Sequence, residues 1–288
     1  MTRCLWTILA VVALLPVLSG CPEPEPDPDE VTWACEEPNN GNREYSELVL
    51  VPGGTFTMGV DEAPATGTTW EKGDERPPHQ VEVGPFCMAK YEVTIQQYED
   101  CVREGVCDPS GLNWDNDGSR DYETVANHLP DKCYPDLAEC WDTAVNAKNY
   151  FQATEYCEWT GGRLCTEAEW EYAAKGPTDE RKDHPWGNDP PTEELCNIPS
   201  TGPGWVLETW MHEEGQSEFG IFNLTGNVFE WVYDGYAEYE DTGEVQVDPV
   251  VEPDGEDGEY IGRGSCFFTE PYRSTTERTV WPAQFDWG

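Results

Sequence analysis

The chain has 288 residues, with 16 Lys plus Arg against 58 Asp plus Glu and a formal net charge of −42. Charge of that sign and size repels phosphate backbones and anionic headgroups, which excludes charge-driven binding to nucleic acid or to a bare acidic bilayer. Only four histidines are present, His79, His128, His184 and His212. Without close His-His or Cys-x2-Cys spacing they do not indicate a zinc site.

Arg3 followed by the apolar run Leu5 to Leu18 reads as a secretory signal over residues 1–20. The run closes on Leu18-Ser19-Gly20-Cys21, the bacterial lipoprotein pattern, so Cys21 is the expected lipidation site. Acyl chains there would make a membrane the first partner of the protein. Pro22 next to the anchor carries no obvious retention signal. Export to the outer membrane or cell surface is therefore expected over the inner membrane. Alternating prolines and carboxylates from Pro22 to Glu30 stiffen and extend the backbone, giving an acidic tether over residues 21–46. One folded domain, residues 47–288, follows.

Within that domain Leu48 to Gly59 predicts two short strands about Pro52-Gly53-Gly54. Thr94-Ile-Gln-Gln97 has the form of a capping box, with Ile95, Tyr98, Cys101 and Val102 at helical spacing and Gly105 as a stop. A second helix is predicted from Asn149 to Trp159, closed by Gly161-Gly162. A third starts at Thr166-Glu-Ala-Glu169, places Trp170, Ala173 and Ala174 on one face, and ends at Gly176-Pro177. Beyond it the chain is rich in Gly, Pro, Asp and Trp, with short aromatic strands such as Val228 to Tyr233. Thirteen Trp, 13 Tyr and 9 Phe predict an aromatic core with little long regular structure. Setting aside Cys4 and Cys21, an even number of cysteines remains, enough for up to five disulfides in an oxidising compartment. Cys101-x5-Cys107 suggests a local staple and Cys133-x6-Cys140 another.

Four ordered segments carry a resemblance. They are Val51-Pro-Gly-Gly-Thr-Phe-Thr-Met-Gly59 with Lys90-Tyr-Glu-Val-Thr94; Arg163 to Gly176 with Pro185-Trp-Gly187; Gly220-Ile-Phe-Asn-Leu-Thr-Gly-Asn-Val-Phe-Glu-Trp231; and Gly262-Arg-Gly-Ser265 with Tyr272-Arg-Ser274. Together these resemble the formylglycine-generating enzyme (sulfatase-modifying factor) family. The resemblance implies an irregular α+β fold of the C-type-lectin-like kind, sparse in secondary structure and, in this cysteine-rich chain, stapled by disulfides. Active members of that family hold copper between two cysteines and oxidise a sulfatase cysteine to formylglycine. Here the counterpart positions are Phe268 and Arg273, neither of which offers the thiolate that cuprous copper requires, so copper is not expected. Cys266 stands at the position of the motif's Trp and reads as a disulfide half or a buried thiol.

The resemblance also implies a calcium site made by the Asn223 side chain, the Gly226 and Val228 carbonyls and the Glu230 carboxylate, all oxygen donors of the type calcium takes. A second family site begins at an Asn-Ile pair matched by Asn197 and Ile198, with its remaining ligands unplaced. Cys165, where the family has proline, suggests an added disulfide. These readings lead to an expected non-oxidase, calcium-stabilised, lipid-tethered module that binds a protein, peptide or glycan at the cell envelope. The alternative is an active oxidase, or a related metal-dependent oxidoreductase, acting on protein cysteine.

Overall fold

The computed structural model describes residues 35, 47–61, 75–109, 140–271 and 274–282. The signal, Cys21 and nearly all of the tether lie outside the described residues, as do His128, Cys133 and Arg273. No helix among the described residues is long and apolar enough to cross a membrane.

Eight short strands and three helices are described, in the order β1 (Leu48–Val51), β2 (Gly54–Met58), β3 (His79–Val83), β4 (Phe86–Ala89), α1 (Ile95–Arg103), α2 (Tyr150–Trp159), α3 (Glu167–Lys175), β5 (Glu230–Gly235), β6 (Gln246–Val247), β7 (Glu259–Arg263) and β8 (Thr279–Pro282). They make the mixed, loop-rich α+β fold that the sequence predicts. The two strands flanking Pro52-Gly53 do not pair with each other. β1 runs antiparallel to β4, from Leu48 opposite Ala89 to Val51 opposite Phe86. β2 pairs instead with β3, which takes β6 in parallel on its other side. β5, β7 and β8 form a separate antiparallel sheet.

Each helix begins on a reciprocal cap, which explains why these short segments are helical. Thr94 and Gln97 exchange side-chain and backbone bonds at the start of α1, and Asn149 and Gln152 do the same at α2. At α3 the Glu169 N–H donates to Thr166 Oγ1 at 3.2 Å, while Glu169 Oε2 accepts from the Thr166 N–H at 2.8 Å. Arg163 grips the same carboxylate with two 2.7 Å bonds. Two orphan amides are thereby satisfied at each helix start. Replacing Thr166 by Ala is expected to cost about 1 kcal/mol, seen as a lower urea midpoint at unchanged m-value.

Helix α3 lies against β2, β3 and β5 and supplies the centre of the main core, in which Val51, Phe56, Val81, Trp170, Tyr172, Ala173 and Leu224 are all buried. Aromatic packing dominates, as composition suggests. Tyr172 meets Phe56 edge-on at 5.3 Å, Tyr150 packs on Tyr260 at 3.9 Å, and Trp231 meets Trp281 edge-on at 5.5 Å.

The helical spacing of Glu167, Glu171 and Lys175 puts their side chains on one face of α3, where all three are buried. There they meet two buried arginines. Arg263 donates to Glu167 Oε1 at 3.0 Å and Glu171 Oε2 at 2.6 Å, and caps the Thr275 and Thr276 carbonyls. Arg278 donates to both Glu167 oxygens and lies 4.2 Å from the Tyr239 ring centre. Two of the sequence motifs, Thr166-Glu-Ala-Glu-Trp-Glu171 and Gly262-Arg263, are thus two halves of one buried ion network.

The cysteines divide between bridges and thiols. Cys35 is bonded to Cys87 and Cys101 to Cys107. Cys140 is also disulfide-bonded. Cys157, Cys165, Cys196 and Cys266 are free, so the number of bridges falls below the ceiling of five and the expected added bridge at Cys165 is corrected.

Candidate metal centre

The segment Gly220–Trp231 crosses the core as an irregular loop before entering β5. Ile221, Leu224 and Val228 are buried and anchor it. Between those anchors the backbone turns through left-handed conformations at Asn223 (φ 54°), Gly226 (φ 82°) and Asn227 (φ 62°). Asparagine and glycine are the residues that tolerate this region, so their spacing sets the curve. The loop is fastened on both sides. Gly226 N–H donates to the Gly264 carbonyl at 2.7 Å, Asn227 N–H to the Asn197 carbonyl at 2.8 Å, and Phe267 N–H to the Asn227 carbonyl at 3.0 Å.

A polar core lies beneath the loop. Asn223 Nδ2 donates to Glu92 Oε2 and to the Thr209 carbonyl, both at 2.9 Å. The Thr209 carbonyl can only accept, so this bond sets the orientation of the amide. Its Oδ1 is left buried with no hydrogen-bond partner among the described residues. The same holds at Asn197, whose Nδ2 donates to the Trp205 carbonyl and to Asn227 Oδ1, leaving its own Oδ1 buried and unpartnered. Natural interiors rarely leave such oxygens unmatched, because each one carries a desolvation cost of about 1–3 kcal/mol.

Glu230 is half-buried and accepts from Trp170 Nε1 at 2.9 Å. Burial pushes its carboxyl up to about 7, the Trp170 bond pulling the other way. Burial also raises Glu92 well above the carboxylate range, with the nearby charge of Glu230 adding to the rise and the Asn227, Val228 and Asn223 donors opposing it. A buried carboxylate raised further by the charge of a second one is the electrostatic signature of a place where positive charge would be welcome. Among the described residues neither the Gly226 nor the Val228 carbonyl accepts a hydrogen bond. The loop therefore carries one unsatisfied amide oxygen, two open carbonyls and one half-buried carboxylate, donors of the type a hard cation takes.

Ile198 stands differently. Its carbonyl accepts from Thr201 N–H at 3.0 Å and Gly202 N–H at 2.7 Å, the closure of a tight turn. Gly202 sits so close that an added Cβ would lie 1.8 Å from Asn197 Oδ1. The structure thus brings Asn197 to the edge of the loop through its bond to Asn227, while the Ile198 carbonyl is engaged by its own turn. No cluster of three His, Cys, Asp or Glu side chains that could hold a metal occurs among the described residues. The candidate centre is built from amide and carbonyl oxygens about a single carboxylate.

Sequence reasoning missed Glu92, which lies in Lys90-Tyr-Glu-Val-Thr94, more than 130 positions from the asparagines it contacts. The only local signal is a carboxylate flanked by Tyr91 and Val93 between a strand and a helix cap.

Comparison with known proteins decides the family. The profile described as the sulfatase-modifying factor enzyme 1-like domain matches residues 34–285. The chain belongs to this family. A formylglycine-generating enzyme from Bos taurus is 26% identical over 264 residues, covering 74% of this chain and 64% of the bovine protein. The inactive C-alpha-formylglycine-generating enzyme 2 of the same species is 26% identical over 227 residues, covering 68% of this chain and 73% of that protein. Among solved structures, PvdO from Pseudomonas aeruginosa superposes with a TM-score of 0.58 at 20% identity, covering 84% of this chain and 90% of PvdO, a likeness of fold.

In this sulfatase-modifying-factor-like domain the segment after Gly262-Arg-Gly-Ser265 runs through Cys266 to Phe268. Cys266 is a buried free thiol with Sγ 3.3 Å from Thr269 Oγ1, and burial pushes it up to about 12. Burial therefore favours the protonated thiol over the thiolate at this position. Phe268 presents its ring to solvent, 41% exposed and edge-on to Phe267. It has no donor atom, so this position does not fit a copper ligand.

Proposed function

We propose that this chain is a non-oxidising member of its family: a calcium-stabilised binding module for a protein, peptide or glycan at the cell envelope. It is held there by lipid on Cys21 and the acidic tether of residues 21–46, on the outer membrane or cell surface. The observation that carries the loss of oxidase chemistry is Phe268, a hydrocarbon at the first of the two positions where the resemblance calls for a copper thiolate. The other position, Arg273, is a cation by sequence. The family includes a relative named as inactive, so keeping the fold without the oxidation has precedent within it.

Calcium, when bound, would supply a hard positive charge to the loop. Asn223 Oδ1, the Gly226 and Val228 carbonyls and Glu230 would hold it. The charge would relieve the burial of Glu230 and satisfy the lone Asn223 oxygen, converting two costs of the folded state into a binding energy. The chain's own residues then act as a rigid frame around the loop.

The oxidase question has a direct test. The purified full chain, incubated with copper under reducing conditions and a Cys-x-Pro-x-Arg peptide, is expected to leave the peptide mass unchanged. Formation of the aldehyde on the peptide cysteine would overturn the reading.

A further inference from the structure

Glu92 is buried, sits in a motif with no role assigned to it, and contacts the metal loop at three points. Its Oε2 accepts from Asn223 Nδ2 at 2.9 Å and from Asn227 Nδ2 at 2.7 Å, and its Oε1 accepts from the Val228 N–H at 3.2 Å. The backbone on either side is also held, by Phe222 N–H donating to the Lys90 carbonyl and Val145 N–H to the Val93 carbonyl. Tyr91 packs on Phe222 at 4.8 Å. The carboxylate therefore stands on a fixed base, with both oxygens already committed to N–H donors.

We propose that Glu92 is the positioning residue of the Asn223–Glu230 metal loop. By taking both asparagine amide nitrogens and the Val228 amide, it leaves Asn223 Oδ1 as the free donor and fixes the backbone between the Gly226 and Val228 carbonyls. The inference rests on the calcium reading above. A carboxylate suits the task because it is acceptor-only: three N–H groups converge on it, and a neutral amide in its place would turn an NH2 toward at least one of them. Asn227 extends the arrangement. Its Nδ2 goes to Glu92, while its Oδ1 accepts from Asn197 Nδ2 at 3.0 Å and from the Leu207 N–H at 2.8 Å. The orientation that Glu92 imposes on the loop is thus passed to Asn197.

The test is a calcium titration of thermal unfolding on chelator-stripped full chain, comparing wild type, Glu92→Gln and Asn227→Ala. In wild type the melting temperature is expected to rise with calcium. In Glu92→Gln the calcium concentration at half-effect is expected to move up by tenfold or more, with a smaller shift of the same sign in Asn227→Ala. A purely structural Glu92 would lower the melting temperature equally in chelator and in saturating calcium at an unchanged half-effect concentration, and that result would overturn the role. Should Glu92→Gln fail to fold in chelator, Asn227→Ala carries the same comparison. A wild type indifferent to calcium would sink the calcium reading and this inference with it. A responsive wild type with unshifted variants would sink only the role of Glu92.

Discussion

Replacing Arg263 by Met is expected to destabilise the protein by roughly 3–5 kcal/mol. Arg263 is completely buried. It is the shared donor to Glu167, Glu171 and the Thr275 and Thr276 carbonyls, and it lies 5.0 Å from the Trp170 ring centre. Methionine fills much of the volume but leaves the Glu171 carboxylate with Lys175 at 3.9 Å as its nearest cation and Glu167 with Arg278 alone. The penalty comes from stranding negative charge in a medium that cannot solvate it. Arg181 is the control, since its two 2.7 Å bonds to Asp183 lie at the surface with its own side chain 54% exposed. Arg181→Met is expected to change stability by less than about 1 kcal/mol. Guanidinium unfolding of both variants separates the two cases. Equal costs would mean that the buried network is not what ties α3 to β7.

The same network shows why some of the fold is legible in the sequence and some is not. Helix starts are local events: the Thr94, Asn149 and Thr166 caps each bond to a residue three positions on, so the segment contains both halves of the interaction. The proposed donors of the Asn223–Glu230 loop, which the family resemblance supplies, also lie within eight consecutive residues. Strand pairing is different. Nothing inside Leu48–Met58 says that β1 will join β4 while β2 joins β3, because the partner that buries each strand lies outside the window. Glu167 and Glu171 read as a helix face, but the arginines that neutralise them arrive from almost a hundred residues away. Glu92 escaped notice on the same ground. The cysteine count overstated the bridges because parity constrains how many thiols can pair and says nothing about which are held apart. Cys266 and Cys196 are buried beside Thr269 and Thr201 and bond to their hydroxyls.

A second large effect is expected at Gly226, where backbone strain and crowding add. Its φ of 82° lies in the left-handed region, and an added Cβ would fall 2.3 Å from the Asn197 carbonyl oxygen and 2.9 Å from Ile198 Cγ2. Strain of this kind costs about 1–3 kcal/mol and overpacking typically another 1–3, so Gly226→Ala is expected to cost roughly 2–6 kcal/mol. Gly243 separates the two causes. It has φ 72° but nothing within 4 Å of its would-be Cβ, so Gly243→Ala bears the conformational cost alone, about 1 kcal/mol. The difference between the two variants measures the crowding at the loop. The Asn197 carbonyl that a methyl at Gly226 would push against also accepts from the Asn227 N–H at 2.8 Å, so relief by movement must loosen Asn227. Asn227 is the link between Glu92 and Asn197. Gly226→Ala is therefore expected to weaken the calcium dependence of thermal unfolding as well as the fold, whereas Gly243→Ala leaves the calcium dependence intact. A Gly226→Ala protein that melts like Gly243→Ala would show that the loop is free to shift, and a frame that shifts so easily could not hold the Asn223 oxygen, the two carbonyls and Glu230 about one cation.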